Sequence, residues 1–249
     1  MKRQDVLNKL RDDKHYYGKF GGHYLSNSNI GTLLKNPREF GGTQQETLPM
    51  VQGRYFHVSM LEAHKLGEFE IIDASTRNTK AYKEQSNGKL LLLTKEQSDL
   101  DRAISEMKSN IEMSSEIYSL GAKYEVPIVG KFYDVEFKGK ADIITADKII
   151  DIKTSSNIDS FRKSAYMYNY DSQAFIYSSM FGLPFEFFVI DKKTLQMKRF
   201  TCSDDFLESG MRKVDRAVKV WKRFFGPDAT DDVKQYVSRY VTNIKNNDS

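Results

Sequence analysis

Apolar and polar positions alternate along this chain with two different periods, and the change of period divides it into helices and strands. In "LSNSNIGTLLKNP" the apolar residues recur every three to four positions, between serines that can cap a helix and a proline that ends one. Residues 41–50 then predict a loop, and residues 51–66 return to helical spacing. The N-terminal part of the chain is therefore predicted to be helical.

The central and C-terminal parts carry the strand-like patterns. Residues 73–89 are polar and basic, which favours a mobile surface loop. A long helix is expected from Thr94 to about residue 118, and a closing helix after Ser203. Between them we predict strands at 124–129, 132–137, 140–145 and 148–153, a helix at 160–181 and a hairpin at 185–202.

This order of elements predicts an α/β chain of the α+β type, in which helices flank a small mixed, largely antiparallel sheet. At 249 residues the chain could hold one large domain or two small ones. We predict one domain over 1–249, with a helical lead-in at 1–50, a core at 120–200 and a helical extension at 203–249.

Composition limits the classes of function. With 29% charged and 39% hydrophobic residues the chain should fold, and a net charge of +4 permits a polyanionic partner. The first residues lack the apolar core of a signal peptide, and no run approaches a membrane span, so we expect a cytoplasmic protein without a membrane partner. Because Cys202 is the only cysteine, any metal must be held by oxygen and imidazole.

The stretch "GKADIITADKIIDIKTSS" places charges inside an apolar pattern. Strand alternation puts Asp151 and Lys153 on one face. If the chain reverses symmetrically about Ala146 and Asp147, Asp142 lies opposite Asp151 and Lys140 lies opposite Lys153. Two facing carboxylates repel unless one takes a proton or a cation such as Mg²⁺ lies between them. Geometry alone leaves a solvated hairpin face equally open.

A second pattern lies in the helix predicted at 160–181. Tyr166, Tyr170, Gln173 and Tyr177 are spaced to share one narrow helical face. Such a face could hold DNA phosphates and stack on bases, or it could be a tyrosine-rich surface packed on the sheet. Gln173 favours the first alternative, since a buried amide needs hydrogen-bond partners.

Taken in order, these motifs resemble the PD-(D/E)XK nuclease superfamily, in its RecB-like branch and closest to the RecE (exonuclease VIII) group of phage exonucleases. The resemblance extends over roughly residues 24–200, through "LSNSNIGTLLKNPREF", "GRYFHVSMLE", "TRNTKAYKE", "KYEVPIVG", "GKADIITADKIIDIKTS" and "YMYNYDSQAFIY". Each motif alone is loose, but the ordered set is specific. The resemblance implies a restriction-endonuclease-like core.

The resemblance also implies a metal site and its ligands. His57 resembles the histidine that joins the metal from an N-terminal helix, and Asp142 and Asp151 resemble the two metal-binding carboxylates. The carbonyl of Ile152 is a further candidate ligand. Asp151 stands where the superfamily more often has Glu, a change that the RecE-like branch shares. The implied ion is Mg²⁺, with Mn²⁺ as a substitute.

Further catalytic and DNA-binding roles follow in the same way. Lys153 resembles the catalytic lysine beside the attacking water, and Glu125 resembles an acidic residue that could bind a second metal through water. Gln173 resembles a residue that supports the active site. The implied or expected DNA contacts are Tyr177, Tyr170, Tyr166, Arg77, Lys80 and Lys83, although the three basic residues could simply be solvated.

The activity implied by the resemblance is 5′-to-3′ digestion of one strand at the ends of linear double-stranded DNA. The 3′ overhang would serve a single-strand annealing protein in phage recombination, and a phage- or prophage-encoded homo-oligomeric ring in a bacterial cell is expected. Two alternatives remain: a structure-specific endonuclease of the same fold, and a non-catalytic DNA-binding module. A related iron–sulfur nuclease is disfavoured, because Cys202 stands alone.

Overall fold

The computed structural model describes residues 1–43 and 45–237. The α-helices of these ranges are α1 (Arg3–Leu10), α2 (Asp13–Tyr17), α3 (Asn27–Lys35), α4 (Leu48–Leu61), α5 (Lys80–Ser86), α6 (Thr94–Ser109), α7 (Ile111–Ile117), α8 (Phe161–Met167), α9 (Tyr170–Phe181) and α10 (Asp204–Phe225). The strands are β1 (Ile71–Ile72), β2 (Leu92–Leu93), β3 (Lys123–Phe132), β4 (Val135–Ile144), β5 (Ile149–Ser155), β6 (Phe185–Asp191) and β7 (Met197–Thr201).

The main sheet has five strands in the order β3-β4-β5-β6-β7. Its neighbours are antiparallel except β5 and β6, which run parallel and are joined through α8 and α9. A separate parallel pair joins β1 to β2. The predicted α/β architecture, a small and largely antiparallel sheet flanked by helices, is confirmed.

Two hydrophobic clusters cover the two faces of this sheet. On one face Ile149 of β5 packs with residues of α3, α9 and α10. On the other face Ile150 and Ile152 pack with residues of α4, α6 and α7. Strand alternation therefore turns Asp151 and Lys153 toward α9. The two apolar layers fix the strand that carries both charged residues.

Several predicted elements are confirmed with their capping residues. At the start of helix α3, Ser26 donates its N–H to Oδ1 of Asn29 over 2.8 Å. Helix α4 carries His57 as predicted, and Ser203 caps α10 by accepting the N–H of Phe206. Gln44 of the predicted loop and residues 238–249 of the predicted extension lie outside the described residues.

The strand boundaries of the central hairpin differ from the prediction. The strands predicted at 132–137 and 140–145 form the single strand β4, and β3 extends to Phe132. The reversal lies at Tyr133 and Asp134, which have φ of 51° and 65°, as a two-residue hairpin turn requires. Gly139 interrupts the sequence pattern, but β4 continues through it in its pairing with β3. The Tyr177 ring packs where a side chain at this position would be, so the position requires glycine.

Three helical predictions are also corrected. The helix predicted from Thr94 to about residue 118 is broken at Asn110, whose side chain caps α7. The helix predicted at 160–181 is broken at Asn169, where φ is 59°. The loop predicted at 73–89 contains α5, which is anchored by the buried side chain of Tyr82.

Within residues 1–43 and 45–237, no helix combines the length and the apolar content needed to cross a bilayer.

Candidate active site

The pairing of β4 with β5 follows the predicted register but extends over only two residue pairs. Ile143 pairs with Ile150 and Ile144 with Ile149, and the two strands then separate. At the point of separation Ile152 donates its N–H to Oδ2 of Asp142 over 3.1 Å, in place of a backbone carbonyl. The ladder therefore contains neither of the two expected pairs, Asp142 with Asp151 and Lys140 with Lys153, because it ends before it reaches them.

Asp151 is held by two side chains. Only 1% of the surface of Asp151 is exposed. Oδ1 of its carboxylate accepts a hydrogen bond from the amide of Gln173 at 2.6 Å, and Oδ2 accepts one from the ammonium of Lys153. Gln173 lies on α9, the helix that faces this side of β5. Two hydrogen-bonding partners, one of them cationic, offset the cost of burying this carboxylate.

A cluster of potential metal ligands lies beside this pair. His57, Glu125 and Asp142 each offer one ligand atom, and these atoms lie within 4.8 Å of one another. Nδ1 of His57 is 3.4 Å from Oδ2 of Asp142. Opposite ligands of one Mg²⁺ ion stand roughly 4 Å apart, so modest side-chain movement would let the three share an ion. Carboxylate and imidazole donors fit a divalent cation.

The cluster overlaps with the expected ligand set without coinciding with it. Asp151 is not among the three clustered residues, since its oxygens contact Gln173 and Lys153. Glu125 is the third member of the cluster, whereas the resemblance implied that it could bind a second metal through water. The Ile152 carbonyl leaves the strand on the same side as its N–H, toward the gap beside Asp142.

The backbone of Glu125 is unusual. Its φ is 48°, in the left-handed region, while its neighbours Tyr124 and Val126 pair normally with β4. A non-glycine residue in this region costs on the order of 1–3 kcal/mol and is kept only where the surrounding structure enforces it. The ladder on both sides of Glu125 supplies that constraint, directly opposite Asp142.

The two clustered carboxyls resist ionisation. Burial, followed by the charge of Asp151, raises the pKa of Asp142 to about 6. Burial, followed by the charge of Asp142, raises the pKa of Glu125 to about 8. A divalent cation between them would favour their ionised forms.

Lys153, in contrast to these carboxyls, is stabilised in its charged form. Burial disfavours its charge, but Asp151 and then Asp142 outweigh burial and raise its pKa above the ordinary value. Its Nζ also lies 5.1 Å from the centroid of the Tyr170 ring. Lys153 is therefore a protonated hydrogen-bond donor at neutral pH.

The predicted tyrosine face is only partly formed. Tyr170, Gln173 and Tyr177 lie on α9, but Tyr166 precedes the break at Asn169 and packs edge-on against Phe206. Tyr177 is 7% exposed, and its hydroxyl accepts the N–H of Lys140 at 3.2 Å. The placement of Tyr166 on this face is wrong, and Tyr177 supports the site instead of offering a surface to DNA.

The basic residues predicted to contact phosphate divide into two groups. Arg77 donates to both carboxylate oxygens of Glu96, at 2.7 and 2.5 Å, and to the carbonyl of Leu91. Its guanidinium is thus occupied in an ion pair, and a phosphate contact by Arg77 stays a prediction. Lys80 and Lys83 lie exposed on α5, where a phosphate contact remains a prediction.

The cluster opens into a cleft of about 700 Å³, which Gln173 and Tyr177 line as well as several residues that the sequence analysis did not assign to the site. Asp13 of α2, Lys65 and Lys140 line the same cleft as His57 and Asp142. Alternation along β4 could have placed Lys140 beside Asp142, since the two residues share a face. No local pattern marks Asp13, which reaches the cleft only through the tertiary fold.

Comparisons with known proteins agree on the fold. The family model described as a PDDEXK-like domain of unknown function (DUF3799) matches residues 34–231. The crystal structure of a "putative exonuclease" from Eubacterium rectale is 14% identical, with a TM-score of 0.63 over 84% of this chain and 85% of that one. The crystal structure of SSO0001 is also 14% identical, with a TM-score of 0.41 over 87% of this chain and 85% of that one. No curated protein matches.

Proposed function

Since the chain belongs to the family of PDDEXK-like domains DUF3799, we propose that it is a divalent-metal-dependent deoxyribonuclease that hydrolyses phosphodiester bonds. One observation carries the proposal: a buried Asp151–Lys153 pair lies beside the cluster of His57, Glu125 and Asp142. A protein that only binds DNA gains nothing from carboxylates that would repel its phosphates.

His57, Glu125 and Asp142 would hold the ion, with Asp151 and the Ile152 carbonyl adjoining them. When bound, Mg²⁺ supplies a water of lowered pKa and a positive charge for a phosphate oxygen. The mixed donor set and the raised carboxyl pKa values support this assignment, because both describe a site in which charge repulsion is relieved by a cation.

Lys153 stabilises the charge that develops on the phosphate. Because its pKa is raised, it keeps its proton and acts as a donor instead of a general base. Asp151 fixes the ammonium on one side and the Tyr170 ring covers another, so the donor is oriented before the substrate arrives. Such preorganisation is worth about 10²–10³ in rate for a single donor.

Gln173 positions this donor indirectly. Its amide fixes Oδ1 of Asp151, which leaves Oδ2 facing Lys153. Tyr177 supports the neighbouring strand through the N–H of Lys140. These two residues of α9 keep β4 and β5 in place around the cleft.

The substrate proposal is more specific. The enzyme is proposed to be an exonuclease that digests linear duplex DNA in the 5′-to-3′ direction and leaves 3′ overhangs. It is proposed to act as a phage-type homo-oligomeric ring together with a single-strand annealing protein. The support for this proposal is the motif resemblance to the RecE group, together with the description of a structural neighbour as an exonuclease.

Digestion of four DNA substrates tests this proposal. Linear duplexes labelled at the 5′ or the 3′ end, an unlabelled linear duplex and a covalently closed circle are incubated with Mg²⁺ or with EDTA. The expected result is metal-dependent loss of the linear forms, with early release of the 5′ label and an intact circle. Cleavage of the circle would contradict the exonuclease activity, and early release of the 3′ label would contradict the polarity.

A further inference from the structure

The cations of the cleft are already neutralised by carboxylates. Within the described part of the chain, the lysines and arginine that line it are Arg54, Lys65 and Lys140. Arg54 contacts Glu46 at 2.5 Å. Lys140 contacts Asp13 at 2.5 Å, and Lys65 contacts Asp13 at 2.8 Å and Glu62 at 2.7 Å. A polyanion entering this cleft must therefore displace at least one of these partners.

Asp13 is the partner that most resembles a ligand. Its Oδ1 contacts Lys140 and its Oδ2 contacts Lys65, so one carboxylate bridges two ammonium groups. A phosphodiester likewise presents two nonbridging oxygens that share one negative charge, and it bridges cations in the same manner. The Asp13 side chain is 44% exposed, whereas that of Lys140 is 8% exposed. The lysine is fixed while the carboxylate lies at the open side of the cleft.

The position of this pair suits a phosphate close to the one that reacts. Lys140 and Asp142 lie two residues apart on one face of β4, which is roughly 7 Å along a strand. Phosphates of one DNA strand follow each other every ~3.4 Å along the helix axis, so a site at this distance receives a nearby phosphate.

We propose that Lys65 and Lys140 form a phosphate-binding subsite for the nucleic-acid backbone, and that Asp13 occupies this subsite until a phosphate displaces it. This inference rests on the proposed nuclease function and assigns to it two substrate-binding residues and an internal competitor. The N-terminal segment that carries Asp13 thereby weakens DNA binding in the resting protein.

A simple tether is the alternative role for Asp13, but the N-terminal segment is attached elsewhere. Nζ of Lys138 bonds the carbonyl of Tyr16 and lies 4.2 Å from the centroid of its ring. Val6, Leu10 and Tyr16 form a separate hydrophobic cluster. The segment should therefore stay docked when Asp13 is neutralised, so its effect on DNA affinity can be measured in a folded protein.

The test is Asp13→Asn, compared with Asp12→Asn as the matched control. The control makes the same charge change one residue away, where the carboxylate pairs with His15 and does not line the cleft. Binding of a fluorescent duplex is followed by anisotropy with Ca²⁺ in place of Mg²⁺. Asp13→Asn should tighten binding about fivefold or more, whereas Asp12→Asn should change it less than about twofold. In Asp13→Asn the slope of log K against log salt concentration should also become steeper by up to about 1.

Equal or weaker binding by Asp13→Asn than by Asp12→Asn would overturn the proposal. If Asp13→Asn does not fold, Lys65→Gln decides: about fivefold weaker binding supports the subsite, and unchanged binding overturns it. Cleavage by the wild type in Mg²⁺ separates the two proposals. If the wild type cleaves DNA but Asp13→Asn shows no gain in DNA affinity, only the subsite is refuted. If the wild type neither binds nor cleaves DNA, both proposals are refuted.

Discussion

The amide of Gln173 donates a 2.6 Å hydrogen bond to Oδ1 of Asp151, while Lys153 contacts the other oxygen of the same carboxylate. The strand β5 carries the carboxylate and the ammonium, and the helix α9 carries the amide. Because Asp151 is 1% exposed, these side chains replace the water that would otherwise solvate its charge. The geometry of the reactive groups therefore depends on the packing of α9 against β5.

Gln173→Ala should reduce catalysis without removing the metal ligands. The variant leaves one oxygen of a buried carboxylate without its partner, which should cost about 1–3 kcal/mol of unfolding free energy. We expect kcat to fall about 10- to 100-fold while KM for DNA changes less. Steady-state digestion of a linear duplex and chemical denaturation measure the two effects. Gln85→Ala, at an exposed position of α5, is the control, and a wild-type kcat in Gln173→Ala would refute the positioning role.

Lys153→Met should lower kcat by about 10²–10³, because it removes the donor placed beside the reacting phosphate. Since the loss also leaves Asp151 without its cation, Lys153→Arg provides a folded comparison that keeps the charge. Single-turnover cleavage measures the chemical step, and Lys131→Met on the exposed end of β3 is the control. The assignment would be contradicted if the methionine variant kept full activity while the arginine variant had none.

The pairing of β4 with β5 could be predicted from the sequence because local alternation determines it. Isoleucines alternate with charged residues on both sides of a short reversal, so the register of Ile143 with Ile150 follows from the strand period. His57 followed in the same way from helical spacing, and its proximity to Asp142 agrees with the family resemblance.

The break in the 160–181 helix could not be predicted in this way. Apolar spacing continues across Asn169, and the break depends on packing against α3. The carbonyl of Asn169 accepts hydrogen bonds from Asn27 and Ser172, and its side chain lies where Gly31 has no Cβ. The contact between Asp13 and Lys140 is likewise tertiary, because 127 positions separate the two residues.

His57→Ala should weaken metal binding. The variant removes one of three clustered ligands, so we expect the affinity for Mn²⁺ to fall about tenfold or more, with the fold retained. Titration of Mn²⁺ followed by electron paramagnetic resonance measures this affinity without DNA. His64→Ala, at an exposed position after α4, should bind Mn²⁺ as the wild type does. Equal affinities of the two variants would exclude His57 from the metal site.

The raised carboxyl pKa values predict a pH-dependent response to metal. Folding raises the pKa of Glu125 from 4.5 to about 8 and that of Asp142 from 3.8 to about 6. At a pH between the unfolded and the folded pKa of each group, the folded state holds a proton that the unfolded state has released. The stability of the metal-free protein therefore falls as pH rises. Metal binding needs the ionised carboxylates, so its stabilising effect should grow over the same range.

Thermal unfolding between about pH 5 and pH 8 measures this response. In EDTA the Tm should fall with rising pH, and the gain in Tm on adding Mg²⁺ should increase. Glu125→Gln should flatten the metal-free curve, whereas Glu136→Gln, on an exposed position of β4, should leave its slope unchanged. A Tm in EDTA that rises over this range would contradict the coupling between Glu125 and Asp142.

The most direct measurement of the central claim is the Mg²⁺-dependent release of labelled nucleotides from a linear duplex by the wild type and by Asp142→Asn. The substitution keeps the size of the side chain and removes the carboxylate that His57 and Ile152 contact. We predict release by the wild type in Mg²⁺, none in EDTA, and a rate at least about 10²-fold lower in Asp142→Asn. Release in EDTA, or a wild-type rate in a folded Asp142→Asn, would contradict a metal-dependent nuclease at this site.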